Sequence, residues 1–90
     1  MRYFRAARFR RAFRALDAQR QARVEQAMRQ LDLMFTVGQL PHGLGLKPLR
    51  RGVWEIRAGL SDRIVFRRAG DAVEFLIVGN HDDIKRFLKT

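Results

Sequence analysis

The sequence predicts an α+β domain: an N-terminal helical hairpin packed on a small twisted antiparallel sheet, followed by a short C-terminal helix. Three observations predict it. Apolar residues recur at helical spacing as far as Leu31. From Val53 onward they alternate with polar ones or run continuously, as strands do. Short turns carrying Gly and Asp separate those runs, and helices followed by strands in 90 residues fit one α+β domain, residues 1–90.

Arg2 to Ala6 is short and fits an edge strand. From Arg8, Phe9, Phe13 and Leu16 fall at i, i+4 and i+7 with Arg10, Arg11 and Arg14 between them, an amphipathic helix with a basic outer face. Asp17 is the expected N-cap of a second helix. In that helix Val24, Ala27, Met28 and Leu31 form the apolar stripe, and Glu25 stands four residues before Arg29 as a supporting ion pair. Val37 to Gly45 carries Gly38, Pro41, Gly43 and Gly45 and reads as a loop.

In Val53–Ala58, Trp54, Ile56 and Ala58 face one way, and Glu55 and Arg57 the other. Arg63–Arg67 alternates again, with Ile64 and Phe66 opposite Arg63 and Arg67. Val73 to Val78 is almost wholly apolar, as a strand covered on both faces requires. Short turns at Gly59–Asp62 and Ala69–Asp71 make these three strands an antiparallel meander. Asn80 is placed to cap a last helical segment, Asp82 to Leu88, with Asp82 and Asp83 at its positive end.

The charge is the most informative feature of composition. Lys and Arg total 19 against 9 Asp and Glu, a net +10, and 16 of the cations are arginine. Such a field draws polyanions, and arginine presents a planar fork to phosphate. A GC-rich genome would account for the ratio of Arg to Lys but not for the net charge. Without cysteine there is no disulfide, thiolate metal site or cysteine nucleophile, which fits a reducing cytoplasm. No apolar run approaches the roughly 20 residues of a membrane span. The first five residues carry no apolar core, so neither a signal peptide nor a membrane partner is expected.

Several stretches together resemble the RelE/ParE superfamily of toxins. Arg8-Phe9-Arg10-Arg11-Ala12-Phe13-Arg14-Ala15-Leu16 is similar to their opening helix, and Leu46-Lys47-Pro48-Leu49-Arg50-Arg51-Gly52 to the basic segment before their sheet. Val53-Trp54-Glu55-Ile56-Arg57 followed by Arg63-Ile64-Val65-Phe66 resembles the family's most recognisable stretch. Val78-Gly79-Asn80-His81-Asp82-Asp83 resembles its ending. The resemblance implies a toxin neutralised by a separately encoded protein antitoxin with an acidic segment. Its RelE-like branch implies a metal-free endonuclease that cuts mRNA on the ribosome and needs no cofactor.

Cleavage of that kind uses the 2′-hydroxyl as nucleophile. It needs a base, an acid and cations for the phosphorane. The resemblance places Arg63 as the phosphate clamp, His81 as general acid or base, and Arg57 in phosphate contact or proton transfer. Glu55 is a base or simply Arg57's neighbour on a polar face. Lys47, Arg50, Arg51 and Lys85 are candidates for RNA phosphate, or a solvated surface. His42, in a Pro-Gly loop, is expected to be incidental, and Trp54 belongs to the core. Asp82 and Asp83 beside His81 are read as helix caps and not as metal ligands.

Two departures stand out. Ile84 and Phe87 occupy the region where many RelE-like toxins have a tyrosine, and Asp62 precedes Arg63 where many have another. The only tyrosine is Tyr3, so a tyrosine base is not expected. Three functions stay open: an mRNA endonuclease, a ParE-like inhibitor that binds DNA gyrase, and a basic RNA-binding module without toxicity. The His81 segment and the Lys47 run favour the first.

Overall fold

The computed structural model describes residues 1–89. Along the chain run β1 (Arg2–Arg5), α1 (Ala7–Arg14), α2 (Ala18–Val37), β2 (Lys47–Arg50), β3 (Val53–Ala58), β4 (Asp62–Ala69), β5 (Ala72–Gly79) and α3 (His81–Leu88). The strands form one sheet in the order β1-β5-β4-β3-β2. The α+β class, the helical pair, the meander and the C-terminal helix are as the sequence predicts. No helix among the described residues is long and apolar enough to cross a membrane.

Two features of the sheet differ from expectation. It is mixed and not purely antiparallel, because β1 lies parallel to β5 with Arg2 opposite Ala72 and Arg5 opposite Phe75. The partner of β1 lies about 70 residues away, and no local pattern reports a pairing at that range. The basic run at Lys47–Arg50, expected as a segment before the sheet, is itself a strand. It pairs antiparallel with β3 and is irregular between Pro48 and Arg50. Pro48 has no N–H to give, so β2 is confined to the sheet's edge.

The helix ends follow their caps. The Asp17 side chain accepts from the Arg20 backbone N–H at 2.9 Å, and α2 ends at Gly38 in a left-handed conformation, φ 84°. At α3, Asn80 and Asp83 exchange side chain and backbone bonds, both at 2.9 Å, in a reciprocal capping box. The expected Glu25–Arg29 ion pair is not formed among the described residues, and both side chains are exposed.

The sheet is covered on both faces. On one, Phe9 of α1 and Val24, Ala27 and Leu31 of α2 bury Ile56, Ala58, Ile64, Phe66, Val73, Phe75 and Val78. On the other, Ile84 of α3 packs with Val65 and Ile77, flanked by Leu49, Val53, Leu76 and Phe87. A register shift makes this possible: Val65 pairs with Ile77 but Phe66 with Phe75, leaving Leu76 as the extra residue. Without it, strict alternation could not place Leu76 and Ile77 on one face and Phe75 and Val78 on the other. Phe75 anchors the hairpin side, with its ring 5.6 Å from Phe9 and 6.0 Å from Tyr3.

Tyr3 ties the edge strand to α2. Its hydroxyl donates to Asp32 Oδ1 at 2.5 Å. Desolvation first, then the bond to Asp32 and its charge, push the hydroxyl well above its ordinary pKa of 10.0. A raised folded-state value means that the neutral tyrosine's contribution is whole below the unfolded value and fades as pH climbs toward the folded one. Because Tyr3 is 38% exposed, Tyr3→Phe is expected to lower stability by about 1 kcal/mol or less near neutral pH. In urea unfolding the gap between wild type and variant should hold steady up to about pH 10 and narrow above it. A gap independent of pH would remove this bond as its cause.

Candidate functional site

The polar positions of β3 and β4 point to the face that carries α3. Register sets Lys47, Glu55, Val65 and Ile77 in one row across four strands, and Arg57, Arg63 and Gly79 in the next. Arg57 and Arg63 are direct neighbours on paired strands, a like-charge juxtaposition that is unfavourable alone. Glu55 relieves it, with Oε2 3.7 Å from Arg63 Nε. The side chains of that pair are 18% and 12% exposed, so the arrangement is held near the protein surface and not in free solvent. Lys47, opposite Glu55 on β2, is a third cation, making three positive charges to one carboxylate.

His81 opens α3 two residues after Gly79, at the end of the strand that pairs with Arg63. Its ring is exposed, and it has no hydrogen-bond partner among the described residues. Lys85 lies one turn further along the same side of α3 and is also exposed. The structure therefore places Lys47, Glu55, Arg57 and Arg63 on one face and His81 at its border. It does not bring Arg50 and Arg51 there. Arg50 Nη2 donates to the Leu88 carbonyl at 3.0 Å, closing the C-terminal end of α3. Arg51 lies in the turn before Val53, about 13 Å along β3 from Arg57. Adjacency in sequence to Lys47 grouped these residues, but the strand carries them to the opposite end of the sheet.

Three residues that sequence reasoning passed over hold the site in place. Asp62, noted only for standing where a tyrosine is common, is 1% exposed and is the one buried charged residue among those described. Arg20 bonds both of its oxygens, Nε to Oδ2 at 2.9 Å and Nη2 to Oδ1 at 2.7 Å. That bond, with the Asp62 charge, raises the Arg20 guanidinium above its ordinary pKa. The pair fixes the first turn of α2 to the first residue of β4, directly before Arg63. Gly79 is the third. A Cβ there would lie 2.6 Å from both Cβ and Oδ2 of Asp83, so only glycine lets α3 start so close to β5. A glycine ending an apolar strand was the available signal; no local pattern could mark Arg20.

Asp83 caps α3 through Asn80 and also bonds Arg86, which accounts for its carboxylate. No group of three His, Cys, Asp or Glu able to hold a metal ion occurs among the described residues. Trp54 sits half-buried beside Met34, Phe35, Leu46 and Phe66 on the hairpin side, part of the core boundary. Tyr3 stacks on Phe75 on that same side, away from Arg63.

Fold and site together define a class: a small basic α+β domain with a helical pair on one face of a five-stranded sheet, and cations, a carboxylate and a histidine on the other. Solved structures with this fold include RelE, YafQ and YoeB/ParE toxins, and the chain is similar to them in fold. The RelE toxin in its complex with RelB from Methanococcus jannaschii matches with a TM-score of 0.70, at 17% identity, over 93% of this chain and 96% of that one. The E. coli DinJ–YafQ complex gives 0.69 at 14% identity, covering 93% and 98%. A YoeB/ParE toxin from Agrobacterium tumefaciens gives 0.67 at 18% identity, covering 90% and 99%. No protein-family model matches the sequence, and no curated protein does. Identities this low carry the fold and leave the roles of individual residues to the geometry.

Two stability measurements check these supports. Arg20→Ala leaves the Asp62 carboxylate buried without its partner and is expected to cost about 3 kcal/mol, the low end for such a loss because Arg20 is partly in water. Replacing both, Arg20→Met with Asp62→Leu, should recover most of that in the same urea titration. A double variant as unstable as the single one would show that the cost has another origin. Gly79→Ala should displace the start of α3 and lower stability by about 1–3 kcal/mol. A thermal midpoint unchanged from wild type would contradict the close approach.

Proposed function

We propose that this chain is the toxin of a type II toxin–antitoxin pair and cuts mRNA on the ribosome without a metal, acting in the cytoplasm. The observation that carries the proposal is the set of three cations, Lys47, Arg57 and Arg63, around the single carboxylate of Glu55, with His81 at the border. A lone ion pair would be self-sufficient. This set keeps a surplus of positive charge for an incoming phosphate, and paired guanidiniums match its oxygens.

In the proposed reaction the 2′-oxygen of the nucleotide before the cut attacks phosphorus. The new O2′–P bond forms as the P–O5′ bond breaks, leaving a 2′,3′-cyclic phosphate and a 5′-hydroxyl. Glu55 accepts the 2′-hydroxyl proton, and the protonated His81 ring donates one to the departing O5′. Arg63, oriented by Glu55, and Arg57 beside it hold the phosphoryl oxygens as their charge grows. Lys47 and Lys85 flank the path of the strand as phosphate contacts.

The partner is a protein antitoxin with an acidic segment that orders on binding. The net charge of +10 and the exposed apolar residues Leu33, Val37 and Leu40 near the end of α2 support it. So does the company of this fold, whose solved examples include RelB–RelE and DinJ–YafQ complexes. A second reading, inhibition of DNA gyrase by binding alone, is favoured by one feature: no hydrogen bond among the described residues orients the His81 ring.

Induction of the wild type, Arg63→Ala and His81→Ala in a bacterial host, with mRNA ends mapped, separates these readings. The nuclease reading expects growth arrest with new mRNA ends in the wild type and a loss of roughly 100-fold or more in cutting for each variant. Arrest with DNA-damage signalling and no new ends would replace it with gyrase inhibition. No arrest at all would sink both.

A further inference from the structure

The outer face of α1 carries a second group of cations, on an element other than the strands that hold Arg57 and Arg63. The first 16 residues hold six arginines and no acidic residue. Among the described residues, Arg2 alone of these six has a carboxylate partner, Asp71. Among the described residues no carboxylate pairs with Arg5, Arg8, Arg10, Arg11 or Arg14. Elsewhere on the same chain Arg20, Arg63, Arg67 and Arg86 are all bridged. The cations of α1 are thus left open, with no acid placed within reach of them among the described residues.

That placement is unfavourable in the free protein. Arg8–Arg11 and Arg11–Arg14 are i,i+3 neighbours and Arg10–Arg14 are i,i+4, all like-charged on one short helix. Part of the face is nevertheless held in place. The Arg8 guanidinium lies 5.0 Å from the Phe87 ring, Arg10 Nη1 donates to the Arg5 carbonyl at 2.6 Å, and Arg5 sits 5.7 Å from the rings of both Phe9 and Phe13. A polyanion laid on this face would remove the repulsion and meet guanidiniums that are already ordered.

The composition of the face identifies the polyanion. An acidic protein segment folding onto the chain needs apolar anchors. The exposed large apolar residues are Met1, Tyr3, Phe4, Leu33, Val37, Leu40 and Leu60, and none lies on α1. Single-stranded nucleic acid needs exposed aromatic rings for stacking, whereas Phe9 is buried and Phe13 half-buried beneath Arg5. A convex row of guanidiniums with neither anchors nor rings can contact phosphates alone. We infer that the arginine face of α1 docks on the phosphate backbone of base-paired RNA, through residues other than those of the proposed cleavage site and independent of whether that site cuts.

The probe is a fluorescent RNA hairpin of arbitrary sequence, titrated with the full chain over a range of salt. Arg11→Gln with Arg14→Gln removes the two outward charges and keeps good helix formers. It should weaken binding roughly 30-fold at 0.1 M salt and lower the salt slope by about 1.5. Arg11→Lys with Arg14→Lys should restore both, and circular dichroism should show the fold intact in all. Arg29→Gln with Lys89→Gln, removing the same charge elsewhere, should change the slope little. An unchanged slope in the α1 variant, or an equal loss in the control, overturns the inference. Loss of binding to polyglutamate with hairpin binding retained would overturn it in favour of an acidic protein partner. Because binding and not cutting is read, a failed nuclease assay leaves this result standing.

Discussion

A carboxylate with 1% of its surface in water is tolerable only against a guanidinium that bonds both oxygens, and Arg20 does this for Asp62. Much of the architecture is organised around that contact. Asp17 caps α2 three residues before Arg20, so the cap fixes the helical turn from which Arg20 reaches. Asp62 begins β4, the central strand of the five. Fixing its first residue fixes the register in which Arg63 meets Arg57 on one neighbour and Gly79 on the other.

The two faces of the sheet divide the work. The hairpin face is packed with aliphatic and aromatic side chains and carries the larger share of the core. The α3 face is apolar only where α3 lies over it, and it turns charged beyond Val65, at Glu55, Arg57 and Arg63. The extra residue at Leu76 lets one strand serve both. It supplies apolar residues to the hairpin and to α3, and then delivers Gly79 and His81 to the charged end. A cationic face can stand beside a core because register confines each to its own part of the sheet.

Much of this was legible in the chain. Helical spacing placed α1 and α2, Asp17 and Asn80 announced the caps of α2 and α3, and alternation gave the facing of β3 and β4. It therefore also gave the shared face of Glu55, Arg57 and Arg63. The misreadings of the sheet and the site have one cause, which is that local pattern carries no information about distant partners. Parallel pairing of β1 with β5, the strand at Lys47–Arg50, and the removal of Arg50 to the end of α3 all depend on contacts across 6 to about 70 residues of chain. Arg20 was invisible for the same reason: on its own helix it is an ordinary polar residue.

What the sequence by itself determined is therefore periodic and local: which segments are helix or strand, which side of each is apolar, where the helices start, and that the surface is strongly positive. Those follow from backbone geometry and the spacing of side chains along a few turns or strand residues. Only the tertiary structure decided which polar residues share a site and which serve as supports. It turned Asp62 from an odd substitution into a buried anchor and Gly79 into a required close approach. It also left the arginines of α1 without counter-charges while bridging Arg2, Arg63 and Arg67 of the sheet. The physical reason is that burial and ion pairing are properties of the space between elements, and that space exists only once the chain has folded.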